Sequence, residues 1–367
     1  MYPALAAARR FVAEHDDVTF VGTPKGLEAR LVPEAGVAFR GLRASGFDRA
    51  RPWTLLTSSA GIVLSTCVAL RWLGVEKPDV VIGFGGYVSI PVGMAAAIRG
   101  IPLVLHEQNS VPGLANRWLS RWAASVGVTY GESAPRFAYP ERVEVTGNPV
   151  RPEVLDADSA RGRKALKLPA KATVLLVFGG SRGARHLNSA LIALRERLLA
   201  VKGLRVVHVA GRLEVDSVRE ALAAAGGDAG RWSVLDYLDD MGSAIAAADL
   251  VVARAGATSI AEITALGAPA VLVPYPYATD DHQTKNAATM VAHGAAVLVA
   301  DRDVDGEHFG DVLIELLSDR KRRATMADAS ATLGRPVAAA ELADLARRAA
   351  CGDAISSDQL LPEDSIA

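Results

Sequence analysis

The stretch "TVLLVFGGSRGARHLN" runs an apolar strand directly into Gly179, Gly180, Ser181 and Gly183, and then into a helix. Glycines let a backbone come close to a ligand, and a helix N-terminus presents N–H groups with partial positive charge, so this join suits a phosphate or diphosphate. Ser181 adds a hydroxyl donor. The same join also serves plain tight packing, so alone it leaves both readings open. A second join, "DLVVARAGATSIAEI", sets small residues Ala255, Gly256 and Ala257 at a strand exit, with Thr258 and Ser259 able to cap a helix and to donate. Glu262, one turn further on, either accepts both hydroxyls of a ribose or complements the helix dipole. Two such joins at the carboxyl ends of strands in one sheet point to a nucleotide-diphosphate cleft.

Other polar clusters fall at further strand exits. In "PYPYATDDHQTKNA", Gln283 and Asn286 are suited to reading sugar hydroxyls, and the Asp280-Asp281-His282 run lacks a partner set that would make it a metal site. "YLDDM", residues 237–241, is either a loop whose backbone meets a planar base or an N-cap with a solvated first turn. His106, Glu107, Gln108 and Asn109 form a dense polar turn, more structural than catalytic because such turns must satisfy their own backbone. Gly85 and Gly86 open a helix and suit a second phosphate-bearing substrate. Arg117, Trp118, Arg121 and Trp122 are expected on one helix, either as a membrane–water interface or as a half-buried packing face.

The elements that must position these groups are strands alternating with helices along the whole chain, the pattern of doubly wound parallel sheets. The first series is "VTFVG", "AFRGL", "DVVIGFG", "PLVLHE", "SVGVTY" and "VEVTGNP". The second is "TVLLVFG", "RVVHVAG", "WSVLDYL", "DLVVARAG", "PAVLVPY" and "AAVLVA". Between them "VRPEVLDADSARGRKALKLPAKA" reads as a linker or domain entrance. The expected domains are 1–150 and 151–350, with an unpatterned acidic tail over 351–367. "MYPALAAARRFVA" reads as a helix, with Pro3 in its first turn, and no strand stands before it.

At 367 residues, two domains are the expected organisation. A net charge of −1 argues against nucleic acid as a partner. Cys67 and Cys351, the only cysteines, have no metal-ligand spacing and form no disulfide framework. The uncharged run between Arg51 and Arg71 is about the roughly 20 residues needed to span a bilayer. Its serines and threonines favour an amphipathic or partly exposed helix instead.

Together, "PDVVIGFGGYVSIPVGMAA", "GIPLVLHEQNSVPGLANRWL", "VEVTGNPVR", "FGGSRGARHLN", "DLVVARAGATSIAEI" and "DDHQTKNA" closely resemble the MurG family, peripheral-membrane glycosyltransferases of peptidoglycan synthesis. The resemblance covers nearly the whole chain. It implies an α/β fold of two Rossmann-like doubly wound parallel-sheet domains of GT-B type. An N-terminal domain would meet the acceptor and the cytoplasmic face of the membrane, and a C-terminal domain would hold UDP-N-acetylglucosamine. The acceptor would be undecaprenyl-pyrophosphoryl-muramoyl pentapeptide (lipid I) and the product lipid II, for cell-wall growth, shape and division, with no cofactor and no metal.

Carried over by position, Asn109 and Gln283 would read sugar hydroxyls, Arg151 would lie on the nucleotide side and Ser181 on the diphosphate. Leu238 would meet uracil through its backbone, Ala257, Thr258, Ser259, Ile260 and Ala261 would line the phosphate and uridine, and Glu262 would bind ribose. The family's first strand, its glycine-rich loop and the histidine favoured as catalytic base would precede Tyr2, so the first domain is expected to lack its first strand and no base is assigned. The alternatives are a non-hydrolysing UDP-N-acetylglucosamine 2-epimerase and an inactive, truncated UDP-sugar-binding protein.

Overall fold

The structure, a computed structural model, describes residues 1–43, 54–180, 184–226 and 230–352, with residues 54–60 described by backbone alone. Ser181 and the tail from residue 353 onward lie outside the described residues. Every apolar run named above forms a strand. In the first unit these are β1 (Thr19–Gly22), β2 (Ala38–Gly41), β3 (Val81–Gly83), β4 (Leu103–Glu107), β5 (Ser125–Val128) and β6 (Val143–Val145). In the second they are β7 (Thr173–Phe178), β8 (Leu204–Val209), β9 (Trp232–Leu235), β10 (Leu250–Ala253), β11 (Ala270–Leu272) and β12 (Ala296–Leu298).

The second unit, Pro152–Pro336, holds one parallel sheet ordered β12-β11-β10-β7-β8-β9. Its central strands are apolar without alternation because helices cover both faces. Val174, Leu176 and Phe178 of β7 enter one core with Val251 and Ala253, while Leu175 and Val177 enter the opposite core with Leu250 and Val252. Strand order reverses between β7 and β10. There Val177 pairs with Val252 and Phe178 with Ala253, so both strands end at the same level.

The first unit comprises Met1–Arg151 and the chain from Val337 onward. Its parallel strands form two ladders, β1-β2 and β3-β4-β5-β6, and among the described residues no pairing joins β1 to β3. The opening helix is Tyr2–Ala13, with Pro3 in its first turn and Leu5, Ala8 and Phe11 buried.

The returning chain corrects the expected boundary at 350. Helix Ala338–Cys351 belongs to the first unit, where Leu342, Leu345 and Ala346 share a core with Ala7, Phe11 and Val104. Arg347 pairs with Glu14 and Asp16, and Arg348 pairs with Glu144 at 2.6 Å. An amphipathic helix docks wherever its apolar stripe finds a matching surface, and sequence proximity does not choose that surface.

The expected linker is built structure. Helix Ser159–Ala165 packs on helix Met241–Ala247 so closely that a Cβ on Gly162 would stand 2.0 Å from the Ser243 carbonyl oxygen. From Thr54 onward the uncharged run lies in a helix, Thr54–Glu76, and no described helix is long and apolar enough to cross a membrane. Within it Ser65 and Thr66 are buried while Val63 and Leu64 are exposed. The buried hydroxyls donate to backbone carbonyls, Ser65 to Arg43 at 2.6 Å and Thr66 to Ile62 at 2.7 Å.

Candidate functional site

In the second unit the two glycine-bearing joins leave adjacent strands at the point where strand order reverses, the place in such sheets where ligands bind. β7 delivers Gly179 and Gly180. Gly180 adopts φ +81°, which side-chain-bearing residues rarely take, and helix Arg185–Ala193 follows. β10 delivers Arg254, Ala255 and Gly256, and helix Ala257–Ala265 begins at once. Gly256 is the N-cap and no side chain caps this helix, so the capping role expected of Thr258 or Ser259 is not realised. Both are half-buried, Ala257 and Ile260 are buried, Ala261 is half-buried, and Glu262 is 6% exposed. Leu238, half-buried, packs against the core that holds Ala255 and Ile260. In the same loop Asp240 caps helix Met241–Ala247 by accepting from the Ser243 N–H at 2.9 Å.

Gln283 lies in the first turn of helix His282–Ala292, and its Oε1 accepts from the Tyr275 N–H at 2.8 Å. The carboxamide orientation follows, with Nε2 as the end left to donate. Asp280 and Asp281, just before this helix, both take φ +53°, an uncommon and strained backbone for residues with side chains. Arg254, unremarked in the sequence beyond its position at the join, is the charged centre of this end of the sheet. It is 7% exposed, and its Nη1 donates to the carbonyls of Val273 at 3.2 Å and Pro274 at 3.1 Å, and to Asp301 Oδ1 at 2.5 Å.

In the first unit Glu107 organises the polar turn after β4. Its carboxylate accepts from the Asn109 N–H at 3.1 Å, Asn109 Nδ2 at 3.3 Å, the Gly113 N–H at 3.0 Å and Asn116 Nδ2 at 2.9 Å. His106 is fully buried. Its Nε2 donates to the Gly147 carbonyl at 2.8 Å, and its Nδ1 accepts from Gln108 Nε2 at 3.0 Å. Burial pushes its pKa down to about 4, so it is a neutral structural histidine. Arg151 stacks its guanidinium 4.6 Å from the centre of the Tyr2 ring. Gly85 and Gly86 both take positive φ before helix Ser89–Arg99.

The Arg/Trp segment differs from expectation. Helix Leu114–Leu119 stops before Arg121 and Trp122, which lie in the following turn, and the turn brings Trp122 edge-on to Trp118 at 4.8 Å between centroids.

A six-stranded parallel sheet with glycine joins at its switch point, in one chain with a second α/β unit of parallel strands, places the protein in the class of two-domain Rossmann-like proteins with the GT-B fold. The glycosyltransferase family 28 N-terminal domain matches residues 1–128, and the family's C-terminal domain matches residues 174–343. The chain is 41% identical, over 95% of each sequence, to the UDP-N-acetylglucosamine--N-acetylmuramyl-(pentapeptide) pyrophosphoryl-undecaprenol N-acetylglucosamine transferase of Desulforudis audaxviator. Among solved structures it matches Acinetobacter baumannii MurG with TM-score 0.74 and 31% identity, over 95% of each chain. The chain belongs to the MurG family of glycosyltransferases. A UDP-GlcNAc 2-epimerase from Neisseria meningitidis also superimposes, with TM-score 0.67 over 94% of this chain and 96% of that one, but at 13% identity it shares the fold alone.

Proposed function

We propose that this protein transfers N-acetylglucosamine from UDP-N-acetylglucosamine to the 4-hydroxyl of the muramoyl sugar of a polyprenyl-pyrophosphate-linked acceptor, lipid I, releasing UDP and forming lipid II. The observation that carries the reading is the pair of joins after β7 and β10 at the switch point, in a chain whose relatives bear that transferase name. The acceptor hydroxyl attacks the anomeric carbon, the bond to the diphosphate breaks, and the hydroxyl proton passes to a base. Fully buried and hydrogen-bonded through both ring nitrogens, His106 is not that base.

The second unit takes the donor. Helix starts and backbone N–H groups, with Ser181, bear the diphosphate charge, residues 257–261 line the phosphate and uridine side, the Leu238 backbone meets uracil, and Glu262 accepts the ribose hydroxyls. Gln283 donates from Nε2 to a sugar oxygen. Asn109 reads a sugar hydroxyl, and Arg151 serves the nucleotide side. Glu262→Ala is expected to weaken UDP binding by about 1–3 kcal/mol, as for loss of a charged acceptor. Unchanged affinity in calorimetry would remove Glu262 from the site. Mass spectrometry of the turnover mixture tests the reaction itself: an isomerised sugar nucleotide without a glycosylated lipid would sink the transferase reading.

The first unit meets the cytoplasmic membrane surface. Val63, Leu64, Val75, Ile98, Leu114, Trp118 and Trp122 are exposed apolar residues on its helices and turns, and an interface is where tryptophan with arginine is favoured. Trp118→Ser with Trp122→Ser is expected to release the protein from anionic vesicles. Sedimentation unaffected by the pair of changes would refute this surface.

A further inference from the structure

His186 is the second residue of helix Arg185–Ala193, the helix that follows the glycine-rich segment fed by β7. Its Nδ1 lies 2.8 Å from Asp301 Oδ2 and its Nε2 lies 2.8 Å from Asp305 Oδ2. Carboxylate oxygens only accept, and a neutral imidazole carries one N–H, so both contacts are hydrogen bonds only in the imidazolium form. Asp301, 11% exposed, passes the link to Arg254, which in turn holds the Val273 and Pro274 carbonyls. One charge chain thus joins the helix after β7, the exit of β10, the stretch leaving β11 and the turn after β12.

Two neighbouring cations have carboxylate partners of their own, and Glu307 and His308 follow Asp305 at the start of helix Glu307–Ser318. Arg185, next to His186, pairs with Glu214 at 2.9 Å, and Arg302 faces Asp303 at 3.7 Å. Arg254, His186, Asp301 and Asp305 therefore balance while His186 is protonated, and leave one negative charge when it is not. A cation in the first turn of a helix opposes the helix dipole, and the two carboxylates offset that cost. The hydrogen bond to Asp301, and after it the one to Asp305, hold the imidazole pKa above its ordinary value.

We propose that His186 is a positioning residue whose proton sets the affinity of the donor site for the nucleotide diphosphate. As imidazolium it clamps the start of the Arg185–Ala193 helix to the turn after β12. Without the proton one side of the clamp opens, and an uncompensated carboxylate faces the helix end that receives the diphosphate. The inference rests on the reading of the second unit as the UDP-sugar site. The sign follows: affinity is full below the raised His186 pKa and falls as pH rises through it.

Calorimetric titration of the full chain with UDP, from about pH 6 to about pH 9, tests this, with Kd expected to rise by up to about tenfold per pH unit above the titration. His186→Gln is expected to bind weakly at every pH, and His186→Arg, with a permanent cation, to stay tight at high pH. The titration of UDP itself is common to all three proteins and cancels in their ratios. Nitrogen NMR of the wild-type imidazole is expected to show both ring nitrogens protonated at neutral pH. Parallel pH curves for wild type and His186→Gln, or a neutral single-tautomer ring at neutral pH, would overturn the clamp. Absence of UDP binding by the wild type at every pH would instead overturn the donor-site reading, and the clamp with it.

Discussion

Replacing Arg254 with methionine is expected to lower the unfolding free energy by about 3–5 kcal/mol, the range for removing one partner of a buried ion pair. The loss is large because three acceptors depend on this guanidinium: Asp301 at 2.5 Å, and the carbonyls of Val273 and Pro274. Methionine fills much of the volume but leaves a carboxylate 11% exposed with His186 as its remaining cationic partner. His186 is shared with Asp305, so two carboxylates face one cation, and a partly buried excess charge costs more than the original pair contributed. Adding Asp301→Leu to Arg254→Met is therefore expected to recover part of the loss, because it removes the stranded charge. Urea unfolding of the single and double variants measures both terms. A single-variant loss below about 1 kcal/mol would show that the pair is solvated and not buried.

Glu107→Ala is expected to lower the transfer rate about a hundredfold, as for small displacements of a positioned group, while UDP affinity stays unchanged. Four N–H donors from Asn109, Gly113 and Asn116 converge on this 3%-exposed carboxylate. Without it the turn carrying Asn109 loses its anchor, but the residues of the second unit proposed to hold UDP make none of these hydrogen bonds. Steady-state transfer kinetics beside UDP calorimetry separate the two effects. Equal losses in both would mean that the substitution unsettles more than this turn, and wild-type transfer would show that Asn109 holds its place without Glu107.

Much of the fold was legible because buried parallel strands announce themselves as short apolar runs closed by glycine or polar residues. All six strands of each series emerged where such runs stood. The glycine joins after β7 and β10 were equally legible, since residues permissive of positive φ and close approach are few in kind. What local pattern misjudged were effects of packing. Thr258 and Ser259 look like helix caps, yet the helix starts at Ala257 under a glycine cap. Arg121 and Trp122 have helical spacing from Arg117 and Trp118, yet the chain turns after Leu119 and the indoles meet edge-on.

The sequence by itself determined the strand series, the two phosphate-suited joins, the polar turn after β4 and the family they define, because each is written within a few consecutive residues. Only the tertiary structure decided that β10 lies beside β7, that the Ala338–Cys351 helix returns to the first unit, and that His186, Asp301 and Arg254 form one charge chain. The members of that chain stand 115 and 47 residues apart. Nothing local couples residues at such separations. Their contact exists because strand order carries the exits of β7, β10, β11 and β12 to one end of a single sheet, where buried charges must find partners.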